Sequence, residues 1–192
     1  DAPWHILLEL TDSLSRGDLS DLLAETLMEH GFDNSILAQS ESGRRDMWTL
    51  RENISAAQRR LGASIKHDIA MPIARVGEFV ANCGHALQAA FAGIDIVVFG
   101  HLGDGSLHYN TFLPQTADNG VYVYEDAVNK IVYENVLACD GTIAAEHGIG
   151  QVKNHWLPRV RSTAEIALMR AVKAAFDPYN MMNPNKLLPE QP

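Results

Sequence analysis

The sequence predicts an α+β fold, a largely antiparallel sheet with helices packed on one face, and three observations carry that prediction. Helix-patterned and strand-patterned segments are interleaved along the 192 residues, which excludes an all-helical bundle or an all-β sandwich. Two strand-patterned runs, 94–99 and 107–113, are joined too tightly for a parallel crossover. No internal repeat or low-complexity linker divides the chain, so residues 1–192 are read as one domain, long enough to bury a substantial core.

The elements follow in order. The run 4–10 places Trp4, Ile6, Leu8 and Leu10 in the alternation of a strand. Across 18–30, leucines at 19, 22, 23 and 27 take helical spacing, and Gly31 is the expected C-terminal stop. A short strand is expected at 35–39 and a helical stretch at 41–61, carrying Arg44, Arg45, Arg51 and Glu52. SIKHDIAMP reads as extended, closed by Pro72, and is followed by a helix over 75–90. The apolar run 94–99 is a buried strand and 107–113 a second one. A helix over 118–138 leads into GTIAAEHGIG, and a last helix over 163–176 ends before Asp177-Pro178.

A formal net charge of −9 and a pI near 5.3 argue against nucleic acid or an anionic membrane as the main partner. Cys83 and Cys139 each lie in an apolar stretch, which predicts reduced, buried thiols in a cytoplasmic compartment rather than a disulfide framework. No segment approaches the length of a transmembrane span, and no secretion signal precedes Asn53-Ile54-Ser55, so that glycosylation pattern is a chance match. The chain opens at Asp1 without a methionine, as a fragment of something longer would.

The densest chemistry lies in GHLGDGSLHYN, residues 100–110. With Asp104-Gly105 as a two-residue hairpin turn, counting outward sets His101 directly opposite His108, and Asn110 shares their face. Two facing imidazoles can share a metal ion. A third ligand must come from elsewhere, and Glu146 in AAEHGIG is the best candidate. A polar hairpin surface and a solvated turn remain open beside the metal reading. HExxH is absent, and the glycines at 100, 103 and 105 do not fit a dinucleotide fingerprint.

GHLGDGSLHYN, AAEHGIGQVK and FDPYNMMNPNKLLP, in that order, resemble the C-terminal domain of FAD-linked D-2-hydroxy-acid dehydrogenases in the vanillyl-alcohol-oxidase-like family. RENISAAQRRLGASIKHDIAMP resembles the D-2-hydroxyglutarate dehydrogenase branch in particular and the glycolate oxidase branch less, and the chain as a whole is most similar to the D-2-hydroxyglutarate and D-lactate dehydrogenases. The resemblance implies a ferredoxin-like substrate-binding cap domain, with the family's N-terminal FAD-binding domain outside this chain. It implies a 2-hydroxy acid substrate oxidised to the 2-oxo acid, FAD as hydride acceptor, and an electron acceptor other than NAD. A divalent metal, zinc or manganese, would be held by His101, His108 and Glu146. His147 becomes the general base, and its other reading is a residue that supports the metal ligands or serves as an alternative ligand. Arg51, Ser55, Lys66 and Asn110 take substrate-binding roles, and Asn183 sits against the flavin. Asn185 stands where the family usually has glycine, a change that asparagine's tolerance of the left-handed region permits. A homo-oligomer and a peripheral association with the inner membrane stay open. The competing readings are a self-sufficient metal hydrolase and a non-catalytic metal or organic-acid binding module.

Overall fold

The computed structural model describes residues 4–13, 18–32, 34–113 and 118–189. The chain falls into two compact units, Asp1–Arg60 and Leu61–Pro192.

The first unit is helical. Asp18 caps α1 (Leu19–Glu29) by accepting the Ser20 amide at 2.8 Å, and Gly31 follows at φ +77°, the stop that the sequence predicts. Ser40 caps α2 (Glu41–Glu52) through the Gly43 amide at 3.1 Å. After Asn53, whose backbone stays right-handed, come α3 (Ile54–Ala57) and a 3-10 turn, Gln58–Leu61. The strands expected at 4–10 and 35–39 are not formed; both segments are irregular. Alternation makes a strand only where a second edge completes the ladder, and Trp4, Ile6, Leu8 and Ile36 remain exposed instead. Segment 4–10 is tied to α2 by polar contacts, Trp48 Nε1 donating to Glu9 at 2.6 Å and Arg44 reaching Glu9 at 3.5 Å. No described residue of this unit is buried.

The second unit holds the core. Its elements are β1 (Ile65–Ala70), α4 (Ile73–Ala90), β2 (Asp95–His101), β3 (Ser106–Phe112), α5 (Glu125–Ala138), α6 (Leu157–Val160) and α7 (Thr163–Phe176). The three strands form an antiparallel sheet in the order β1-β3-β2. The period of two along each strand sorts the side chains. Ile65, His67 and Ile69 share a face with Leu107, Tyr109 and Thr111, and all six are buried. Phe79, Cys83 and Leu87 of α4 and Val128, Val132, Tyr133 and Val136 of α5 complete that core. Phe79 meets Tyr109 edge-on at 5.3 Å, and Tyr133 meets Trp156 at 5.1 Å. Cys83 and Cys139 are free, buried thiols, and burial is the main cause that raises Cys83 to about 11. Over the predicted helix 118–138, a 3-10 turn, Asp118–Tyr124, precedes α5; Gly120 is a poor helix former.

A capping box starts α7, Ser162 and Glu165 each bonding the other's backbone amide, yet none of its residues is buried. Among the described residues no helix is long and apolar enough to cross a membrane.

Candidate active site

The sheet face opposite the core is polar. Register places Lys66, Asp68 and Ala70 of β1 beside Asn110, His108 and Ser106 of β3, and these beside Val97, Phe99 and His101 of β2. His101 pairs with Ser106, and His108 with Phe99, so the direct His101–His108 opposition expected from a two-residue turn is corrected. The loop is longer: Leu102–Asp104 make a 3-10 turn and Gly105 closes it at φ +73°, its amide donating to Leu102 O at 3.2 Å. Asp104 accepts the Ser106 amide at 2.8 Å instead of occupying a tight turn. Gly105 is required, because a Cβ there would stand 1.9 Å from Met71 O. The register differs from the expected one by two residues, and a shift of two preserves the face. The histidines therefore still share it, as diagonal neighbours, farther apart than a directly opposed pair, whose Cβ atoms lie about 4.5–5.5 Å from each other.

AAEHGIG is laid along the outer edge of β1. Thr142 and Ala70 exchange backbone hydrogen bonds at 2.7 and 3.1 Å, and Ala145 N–H donates to Asp68 O at 3.3 Å. The Asp68 carboxylate then accepts the amides of Glu146 at 2.9 Å and His147 at 2.8 Å on one oxygen, Oδ2. His147 Nδ1 lies 3.5 Å from that oxygen, its ring 6.1 Å from His108, which in turn lies 4.9 Å from Phe99. Burial alone would raise the Asp68 carboxyl, but the two amides and the charges of His147 and Lys153 outweigh it and hold it below the ordinary value. Lys153, lowered by burial, donates to Ile143 O at 2.7 Å. The second Asp68 oxygen, Oδ1, is buried with no hydrogen-bond partner among the described residues.

The polar face thus brings together Lys66, His108 and Asn110, with His101 at the end of β2 and Glu146 and His147 on the segment beside β1. Lys66, His101, Glu146 and His147 are exposed, whereas Asn110 is buried. Arg51 on α2 and Ser55 on α3 belong to the first unit. Asn183 sits in the C-terminal turn at φ +50°, with Asn185 at +60° adopting the left-handed conformation expected of it. That turn is attached to the chain after AAEHGIG: Asn154 donates to Asn185 O at 3.3 Å and Lys186 to Gln151 at 2.9 Å. Asp177, paired with Lys173, accepts the amides of Met181 and Met182 at 2.8 and 2.9 Å and so shapes the turn's start.

Two functional-looking residues, Asp68 and Lys153, escape a reading of the sequence. Lys66 stands out in SIKHDIAMP because it is a charge within a strand, and the same period of two would have carried the eye on to Asp68. Lys153 has no local signal, since its role depends on where the 143–153 segment folds back.

The donors fit a divalent cation in kind, two imidazoles and a glutamate, and His101 and His108 share a sheet face. They do not converge as placed. Among the described residues no three His, Cys, Asp or Glu side chains form a group that could hold a metal ion.

Comparison with known proteins shows the family. Residues 1–187 match the family model described as FAD linked oxidases, C-terminal domain. The D-2-hydroxyglutarate dehydrogenase of Xanthomonas citri pv. viticola is 36% identical over 188 residues, covering 96% of this chain and 40% of the relative. That of Stutzerimonas stutzeri is 36% identical over 190 residues, 97% and 41% respectively. The D-2-hydroxyglutarate dehydrogenase, mitochondrial, of Danio rerio is 28% identical over 193 residues, 99% and 35%. The chain spans about two fifths of the length of the first two relatives. With a polar sheet face bordered by AAEHGIG and a family match over nearly its whole length, the chain belongs to the FAD-linked oxidase C-terminal domain family.

Proposed function

We propose that the chain is the substrate-binding part of an FAD-dependent dehydrogenase that oxidises a D-2-hydroxy acid, 2-hydroxyglutarate or lactate, to the 2-oxo acid. The observation that carries this reading is the sheet face on which Lys66, His108 and Asn110 stand beside the Glu146-His147 segment. A cation, a hydrogen-bonding amide and imidazoles on one rigid sheet match what an anionic hydroxy acid requires. The self-sufficient hydrolase and the passive binding module are less favoured, because relatives 36% identical to this chain carry dehydrogenase names.

In this reading His147 takes the proton from the substrate C2 hydroxyl, as an imidazole near neutrality suits. Lys66 holds a carboxylate as a point charge, and Arg51 holds one through its planar fork, with Ser55 four residues on as a hydroxyl donor. Asn110 hydrogen-bonds a substrate oxygen, and Asn183 lies against the flavin. A dicarboxylate needs both cations, whereas lactate leaves one without a carboxylate, so the pair Arg51 and Lys66 favours 2-hydroxyglutarate. FAD, bound by the part of the longer protein that this chain does not span, supplies the hydride acceptor. A zinc or manganese ion on His101, His108 and Glu146 would require those side chains, which do not converge as placed, to be drawn together, and would then supply Lewis-acid polarisation of the substrate oxygens. An acceptor other than NAD then takes the electrons.

The test is anaerobic flavin reduction in the full-length enzyme. D-2-Hydroxyglutarate should bleach the flavin, and His147→Asn should slow the bleaching by about a hundredfold or more. A wild-type reduction rate in His147→Asn sinks the assignment of the base.

A further inference from the structure

Glu146 and His147 lie on a stretch that has no regular structure of its own. Ala144 and Ala145 precede them, and Gly148 and Gly150, both in the left-handed region at φ +74° and +54°, follow. Small residues and glycines pack weakly and leave the backbone many conformations. The order of this stretch has to be imposed from outside, and a single residue meets it at three consecutive positions. Asp68 accepts Ala145 N–H on its backbone carbonyl, and the Glu146 and His147 amides on Oδ2. Two successive amides on one carboxylate oxygen fix the direction of both peptide planes, and hydrogen bonds to an ionised acceptor are about twice as strong as neutral ones.

Asp68 is itself held firmly. It sits inside β1, paired with His108 on the central strand, and is only 4% exposed. Its Oδ2 also lies 3.5 Å from His147 Nδ1. That distance is electrostatic contact rather than a hydrogen bond, but a carboxylate beside Nδ1 favours the tautomer with its proton there, which leaves the lone pair on Nε2. Lys153, anchored on Ile143 O, places a positive charge within electrostatic range of the same carboxylate.

We propose that Asp68 is a positioning residue for the reaction: it clamps the Glu146 and His147 peptides against the sheet edge and fixes the imidazole so that Nε2 is the nitrogen that accepts the proton. The proposal rests on the reading of His147 as the base. The two functions of Asp68 separate by substitution. Asn keeps an oxygen that accepts both amides but has no charge beside the imidazole; Ala removes both.

The experiment uses the full-length, flavin-loaded enzyme with D68N, D68A and His147→Asn, and reads flavin reduction, KM and amide hydrogen exchange at residues 145–147. D68A should reduce flavin about a hundredfold more slowly and D68N about tenfold, within the range that base positioning controls. KM should move by less than about threefold in both, because the cations that bind the acid are untouched. The Glu146 and His147 amides should exchange faster in D68A and at nearly the wild-type rate in D68N. Wild-type exchange at those amides in D68A, or flavin reduction within about twofold of wild type, overturns the clamp. A wild-type rate in His147→Asn removes the base and the positioning role together. That outcome is told apart because the amides of D68A still exchange fast.

Discussion

His67 shows what one residue contributes to the pH range over which the fold holds. It points into the core, Nδ1 bonded to Tyr109 O at 2.9 Å and Nε2 paired with the Asn129 side-chain amide at 2.8 Å. Burial pushes its pKa from 6.5 to about 4, against the opposing pull of those two hydrogen bonds. Between these values the unfolded chain takes up a proton that the folded chain refuses. The stabilisation is therefore complete above the unfolded value and is lost as pH falls toward 4, by about 3 kcal/mol at the lower end. Thermal unfolding from about pH 7 to about pH 4.5 should show this loss in the wild type and a smaller one in His67→Gln; parallel curves would remove His67 as the source. The sequence makes Lys66, His101, His108 and His147 conspicuous as isolated polar residues in apolar or glycine-rich runs. His67 and Asp68 sit in one of the same runs, but whether each faces the core or the site depends on register, which only the partner strand sets.

At the scale of elements, the turn between β2 and β3 decides where the histidines stand. Gly105 combines φ +73° with an approach to Met71 O that would leave a Cβ only 1.9 Å away, whereas a Cβ at Gly103, two residues away, meets nothing within 4 Å. Gly105→Ala should cost at least about 1–2 kcal/mol from the left-handed conformation alone, with the close approach to Met71 adding to it. Gly103→Ala should stay within about 0.5 kcal/mol of wild type. Urea unfolding midpoints check the pair, and equal shifts would mean that the loop is not pinned to Met71. Helices with a strong period were legible: α1, α4 and α7 lie within two residues of expectation at each end. The β2–β3 hairpin was legible in its strands but not in its loop, because Asp-Gly serves a four-residue turn as well as a two-residue one. The runs 4–10 and 35–39 have the pattern of strands without a partner, and pattern alone cannot provide one.

For the whole molecule, the decisive contrast is that the buried residues fall between Ser64 and Asp177, while the described part of the first unit has none. Amide protection follows burial and cooperative packing. Hydrogen exchange should therefore be slowest in β3, α4 and α5 and faster by orders of magnitude in α1 and α2; comparable protection in α2 and α5 would refute this ranking. The fold class was legible from the order of segments, and the division of the core was not, since the leucines of α1 have the same amphipathic spacing as the buried residues of α4. The lack of a core around Arg51 and Ser55 also bears on ancestry. Substitutions on exposed helices seldom destabilise a protein by much, whereas changes near Asp68 and His108 strain a packed sheet. On the proposed reading, in which Arg51 and Ser55 bind the acid, divergence in which acid is accepted can thus accumulate around α2 and α3 at little cost to folding, while Asp68 and His108, set in the packed sheet, stay constrained. Such a division of labour would let one scaffold explore new substrates without losing its chemistry.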